Sequence, residues 1–269
     1  MALRLSSIGS ALVIGSLAAV GVVHAQEPPT LTAQDLGLTD AELTALVQQA
    51  SGPAGSPGIA FGSATGFGAN WGTLGVGIGG VTLPKTTADD YDGSMGFIAG
   101  FGDSTDAVGL EVTLNIISLR NNFGEDGNLN LKLHRNLDSA TAIAVGVENV
   151  APWGNAKDVD ETVYVVGTRI VDLGSEERAL PLAVNFGLGN GRFDDPGEDD
   201  ITPFGSLALV VHPQWSLIAD WAGTGLNLGV SVAPFPDFPL SLGAGMVNVT
   251  ERNNSDSEFA GGIGYSWQF

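Results

Sequence analysis

Between Asp256 and Phe269 the chain reads DSEFAGGIGYSWQF, and taking every second residue sorts this stretch into two unlike faces. Phe259, Gly261, Ile263, Tyr265, Trp267 and Phe269 fall on one side, and Glu258, Ala260, Gly262, Gly264, Ser266 and Gln268 on the other. Side chains of a strand alternate between its faces, so this is a strand with an apolar side and a polar side. The same period runs backwards through most of the chain. Alternation predicts strands near 71–82, 92–102, 106–118, 127–135, 139–149, 161–172, 180–189, 202–211, 214–222, 224–233, 239–249 and 257–269. Each is close to the roughly 9 to 11 residues that a tilted strand needs to cross a hydrocarbon layer.

Aromatic residues crowd the end of the last predicted strand, which stops on Phe269. Tyr, Trp and Phe favour the depth at which lipid meets water. In its alternating apolar positions and closing Phe, this terminus resembles the C-terminal signature strand of bacterial outer-membrane β-barrels. That resemblance rests on one strand. It implies an all-β, antiparallel up-and-down transmembrane barrel, for which the alternation above counts twelve strands, with outer-membrane lipid around it and the barrel-assembly machinery as a partner of the last strand.

The N-terminus points to export on separate grounds. Arg4 supplies a positive charge, Ala11–Val23 an apolar run, and Val23-His24-Ala25 a small-residue cleavage site, so residues 1–25 read as a signal peptide. The run is too short to span a bilayer, and no cysteine follows to carry a lipid anchor. Residues 26–69 are expected to be an N-terminal periplasmic or plug segment, and 70–269 the barrel. Within that segment Thr39-Asp40-Ala41-Glu42 reads as a capping box before Leu43, Leu46 and Val47 at helical spacing. A loosely attached terminal helix is the expectation there, ahead of a plug. Gly58–Gly68 is ambiguous, since it reads either as a thirteenth strand or as a lead-in to the barrel.

Composition sets the limits on partners and chemistry. Charged residues make up 15%, apolar residues 43%, and there are 39 glycines and no cysteine, which excludes disulfides and thiolate metal sites. A net charge of −20 repels phosphate, which argues against nucleic acid as a partner. His134 and His212 lie near predicted tight turns with no nucleophile and carboxylate at a recognisable spacing, so no enzyme and no cofactor is expected. The long joints, 84–92, 119–126, 150–160, 190–201 and 250–256, fall on one side of the predicted sheet, and tight turns fall on the other. Only the short joint at Gly223 breaks that rule. Trp71, Phe101, Trp215, Tyr265, Trp267 and Phe269 would form a girdle at the tight-turn end, and Tyr91, Tyr164, Phe204, Trp221 and Phe259 one towards the long-loop end.

A charge at mid-depth on a lipid-facing side costs roughly 2 to 4 kcal/mol. Charged and amide residues on the strands are therefore expected to line the lumen: Glu111, Asn115, Asn130, Lys132, Glu148, Arg169, Asn185, Asp220, Asn227 and Glu258. Glu111 with Lys132, and Glu148 with Arg169, lie on neighbouring strands and are candidates for pairing across the wall. The loop FDDPGEDD puts Asp194, Asp195, Glu198, Asp199 and Asp200 at the outer mouth. It is either a solvated acidic rim or a divalent-cation site, and the rim is favoured because the spacing is not that of a calcium loop. The expected function is a pore for passive diffusion of small hydrophilic solutes with mild cation preference. The alternative is a non-conducting barrel that acts as a surface anchor or adhesin through its acidic loops.

Overall fold

In the computed structural model, residues 56–82, 91–117, 119, 123–175, 178–195, 198–254 and 256–269 are described. The signal-peptide reading and the capping-box helix lie outside them. Twelve antiparallel strands close into one barrel: β1 (Thr73–Thr82), β2 (Tyr91–Gly102), β3 (Gly109–Ile116), β4 (Gly127–Asn136), β5 (Thr141–Trp153), β6 (Thr162–Asp172), β7 (Pro181–Gly189), β8 (Thr202–His212), β9 (Trp215–Trp221), β10 (Leu226–Val232), β11 (Leu240–Val247) and β12 (Glu258–Gln268). Each strand pairs with its sequence neighbours, and β1 closes on β12 from Thr73↔Gln268 to Val81↔Ala260. Closure leaves no sheet edge unpaired. No helix among the described residues is long and apolar enough to cross a membrane.

Strand number and order follow the alternation, but the ends differ. β3 is shorter than expected, because 103–108 is spent on a turn in which Asp103 accepts from the amides of Thr105 and Asp106. β5 runs on to Trp153 because its pairing with β4 shifts register between Gly127 and Leu131. Asn149 and Ala151 take positive φ within that irregularity. Residues 58–68 form no strand. They run through the inside of the barrel.

The outward face is apolar and exposed, with Leu131, Leu133, Val145, Val163, Val165, Phe186, Leu207, Leu217 and Leu228 among the exposed large side chains. Aromatic contacts gather at the tight-turn end. Trp71 lies 6.1 Å from Phe101 and 6.3 Å from Phe269, and Tyr265 lies 5.0 Å from Phe238 and 5.8 Å from Trp267. At the long-loop end, Phe259 points outward. Tyr164 and Phe204 do not, so that girdle loses two of its expected members; the side chain of Tyr91 lies outside those described. Phe204 stacks on Phe193 at 3.8 Å, and Tyr164 meets both rings edge-on inside the barrel. Their parity is inward because an apolar surface already fills the lumen at that height.

Candidate functional site

The bore is occupied by the segment PGIAFGSATGFGAN, residues 57–70, every one of which is buried except the half-exposed Ile59. A chain without secondary structure in an enclosed space must find partners for each backbone polar group. Here the inward side chains of the strands supply them. Near the tight-turn end, the Gly58 amide donates to Ser231 at 2.7 Å and the Gly58 carbonyl accepts from Ser216 at 2.5 Å. The Ile59 carbonyl accepts from Asn185 at 3.0 Å and Ser206 at 3.1 Å. Higher in the barrel, the amides of Phe61, Gly62 and Ser63 converge on one oxygen of Asp220 at 2.8, 3.0 and 3.0 Å. The Ser63 hydroxyl donates to the other oxygen at 2.7 Å.

From this apex the segment descends on the opposite flank. The Gly66 amide donates to Thr168, whose hydroxyl in turn donates to Asn185. Phe67 offers its carbonyl to Lys132 at 2.9 Å, and Ala69 gives its amide to Glu111 at 2.9 Å. The Ala69 carbonyl can only accept, so His134 carries its proton on Nε2, 3.0 Å away. The Asn70 side chain takes the Ser104 amide at 2.9 Å, and Trp71 then emerges at the rim. Residues 57–70 therefore form a hairpin-shaped plug with both legs at the tight-turn end and the apex beneath the long loops. Glycine recurs in it for close approach: a Cβ at Gly68 would fall 2.6 Å from the His134 ring, and one at Gly66 would collide with the Ala142 carbonyl.

The long joint between β7 and β8 folds inward to meet the apex. Arg192, in the short 3-10 turn Gly191–Phe193, bonds Glu148 through Nε at 2.5 Å and Nη2 at 3.0 Å and donates to the Gly62 carbonyl at 2.7 Å. Its guanidinium lies 4.2 Å from the Phe193 ring centroid. Burial pushes the Arg192 pKa down, but the adjacent Glu148 carboxylate, with Tyr164 and Asp220, pushes it up by more. It therefore stays charged.

Most of the expected lumen residues do point inward. Glu111 pairs with Lys132 at 3.0 Å, in register as anticipated. Asn115 bonds Asn128, Asn130 accepts from the Asn149 amide, and Asn227 accepts from the Asn248 amide. Glu258 stands at the long-loop rim, accepting from Thr82 at 2.6 Å. Two expectations fail. Arg169 faces outward and bonds Asp138 at 3.1 Å, because the inward face of β6 is Thr162, Tyr164, Val166 and Thr168. Glu148 consequently pairs with Arg192; in the β5–β6 register it opposes Thr162, far along the strand from Arg169.

The acidic loop is divided. Asp194 is buried and accepts from Thr202 at 2.6 Å and from the Gly191 and Asp200 amides, and Asp195 bonds Arg252 at 3.0 Å and Asn253 at 2.9 Å. Glu198, Asp199 and Asp200 are exposed. Among the described residues no three His, Asp or Glu side chains are grouped to hold a metal ion. The chain matches no family model and no curated protein. Sequence reasoning missed the plug contacts of Ser63, Thr168, Arg192, Ser206, Ser216 and Ser231. Their signal was the small-residue, non-alternating run from Pro57 to Asn70, directly before β1, which has nowhere to go but across the mouth or into the bore.

Proposed function

We propose that the protein is an outer-membrane channel for small hydrophilic solutes, closed at rest by its own residues 57–70. The observation that carries this reading is the match between the inward polar side chains and the plug backbone. An outward apolar surface with a polar interior suits a cylinder surrounded by lipid. A barrel needed only as an anchor has no use for a lumen that grips a removable segment through side chains. Both plug legs leave at the tight-turn end, which is the periplasmic end in barrels of this kind, so the hairpin can withdraw without threading either of its ends. Withdrawal would return Glu111, Lys132, Glu148, Arg192 and Asp220 to the bore as its charged lining. Passage then needs neither cofactor nor chemistry, only a gradient.

The occluded bore also favours the second reading, a non-conducting surface barrel whose outer loops bind. One comparison separates the two. The full chain and a variant lacking residues 26–70 are refolded and inserted into planar bilayers. The channel reading expects rare, small current events from the full chain and reproducible steps from the shortened one. A folded, shortened barrel that carries no current would leave the surface-anchor reading.

A further inference from the structure

The plug does not fill the bore evenly. Among the described residues its side-chain hydrogen bonds go to β3, β4 and β6–β10, to Arg192 and to the β2–β3 turn. Inward positions on the gripping side are buried: Thr113, Ala144, Thr168, Ala208 and Asp220 are examples. On the other side, Ser241, Gly243 and Gly245 of β11 and Gly262 and Ser266 of β12 point inward by register and are half-exposed, whereas on β1 the inward Thr73, Gly75, Gly77 and Val81 are buried and Gly79 is half-exposed. At its half-exposed positions that wall has neither charge nor bulk.

Phe61 crosses from the gripping side to this wall. It is fully buried and belongs to one apolar cluster with Ala183, Ala208 and Ile218 on β7–β9 and with Val81 and Ala260 on β1 and β12, against which Val247 packs. Facing strands carry glycine to admit the ring: a Cβ at Gly229 would lie 2.6 Å from it and one at Gly245 2.9 Å. Beyond the cluster lies the rim at Thr82 and Glu258. The plug contributes Phe61 to this cluster, and Ile59, half-exposed, packs against it.

We propose that Phe61 is a gate residue distinct from the plug that carries it: its ring closes a narrow conduit along β11 and β12, lined by uncharged residues below the Glu258 rim, and removing the ring opens that conduit while the plug stays in place. Such a conduit selects by size, since Gly and Ser present only backbone dipoles and hydroxyls to a passing solute. This inference rests on the channel reading and deepens it by assigning two openings of different selectivity. The wide one is charged and needs plug withdrawal; the narrow one is uncharged below its rim and needs only movement of one aromatic side chain.

The test uses the full chain, whose lack of cysteine makes engineered thiols unambiguous. A Cβ at Gly62 would lie 3.6 Å from that of Ala222, within disulfide range, so Gly62→Cys with Ala222→Cys locks the plug apex to the wall. The expected result is that Phe61→Ala in the oxidised, locked background gives current steps smaller than those of the variant lacking 26–70, with a weaker cation preference, since both share the acidic mouth and only the wide opening adds the charged lining. A bulky thiol reagent on an added Ser241→Cys blocks those steps. If Phe61→Ala fails to migrate as a folded, heat-modifiable barrel, Phe61→Leu carries the same test with smaller steps expected. The inference is overturned if the locked variant is silent while the shortened barrel conducts, since opening would then need plug withdrawal. If the shortened barrel is silent as well, the channel reading itself fails.

Discussion

Asp220 concentrates more of the plug contact than any other side chain, holding three consecutive amides and a hydroxyl on one buried carboxylate. Removing an acceptor strands its donors, at about 1 to 3 kcal/mol for each buried group left unpaired. Asp220→Ala should therefore shift the plug towards its withdrawn position by at least tenfold, read as a rise in open probability in planar bilayers. Asp220→Asn keeps one oxygen and should fall between the two. A wild-type open probability in Asp220→Ala would show that the latch lies elsewhere. That Asp220 points inward was legible, since it stands alone among Trp215, Leu217, Ala219 and Trp221 on the other parity. Its partners were not legible, because they lie more than 150 residues away in a segment with no period of its own.

Strand β6 shows where the rule of polar inside and apolar outside stops working. Both of its faces carry apolar residues: Val163 and Val165 point out, while Tyr164 and Val166 point in. The charge of Arg169, within the strand, predicts a lumen-facing side there. A long side chain near a strand end can instead reach polar partners at the rim, and Arg169 does so through Asp138. Tyr164 and Val166 pack against Phe193 and Phe204 because the bore at that level holds protein and not water. The strands themselves were readable to within a few residues at their ends, since period two survives whatever fills the cavity. Which face was which on β6 depended on an occupant that the strand does not encode. This parity gives a direct test of the surrounding medium. Val165 is 50% exposed outward, so in a water-surrounded barrel Val165→Arg would be nearly neutral. Facing lipid at mid-depth, it should cost roughly 2 to 4 kcal/mol. Arg169→Ala, which removes an exposed pair, should cost about 1 kcal/mol or less. Urea titration of refolding into lipid vesicles measures both, and a neutral Val165→Arg would remove the membrane from the argument.

Taken as a whole, the bore is a charge balance that the plug conceals. With the segment seated, Glu111 and Lys132 neutralise each other while holding Ala69 and Phe67, Glu148 is tied to Arg192, and Asp220 is enclosed by amides. Once residues 57–70 leave, three carboxylates face two cationic side chains, and the unspent Glu198, Asp199 and Asp200 add to the field at the outer mouth. A lumen with low-dielectric walls focuses such an excess. The barrel lacking 26–70 should therefore prefer potassium to chloride, read as the sign of the reversal potential across a salt gradient. Lys132→Gln should strengthen that preference and Asp220→Asn should weaken it, because each moves the balance by one charge. The preference should fade as salt rises, since the screening length shrinks from about 10 Å at 0.1 M to about 3 Å at 1 M. Anion preference in the shortened barrel, or insensitivity to both substitutions, would mean that these five side chains do not line the open path.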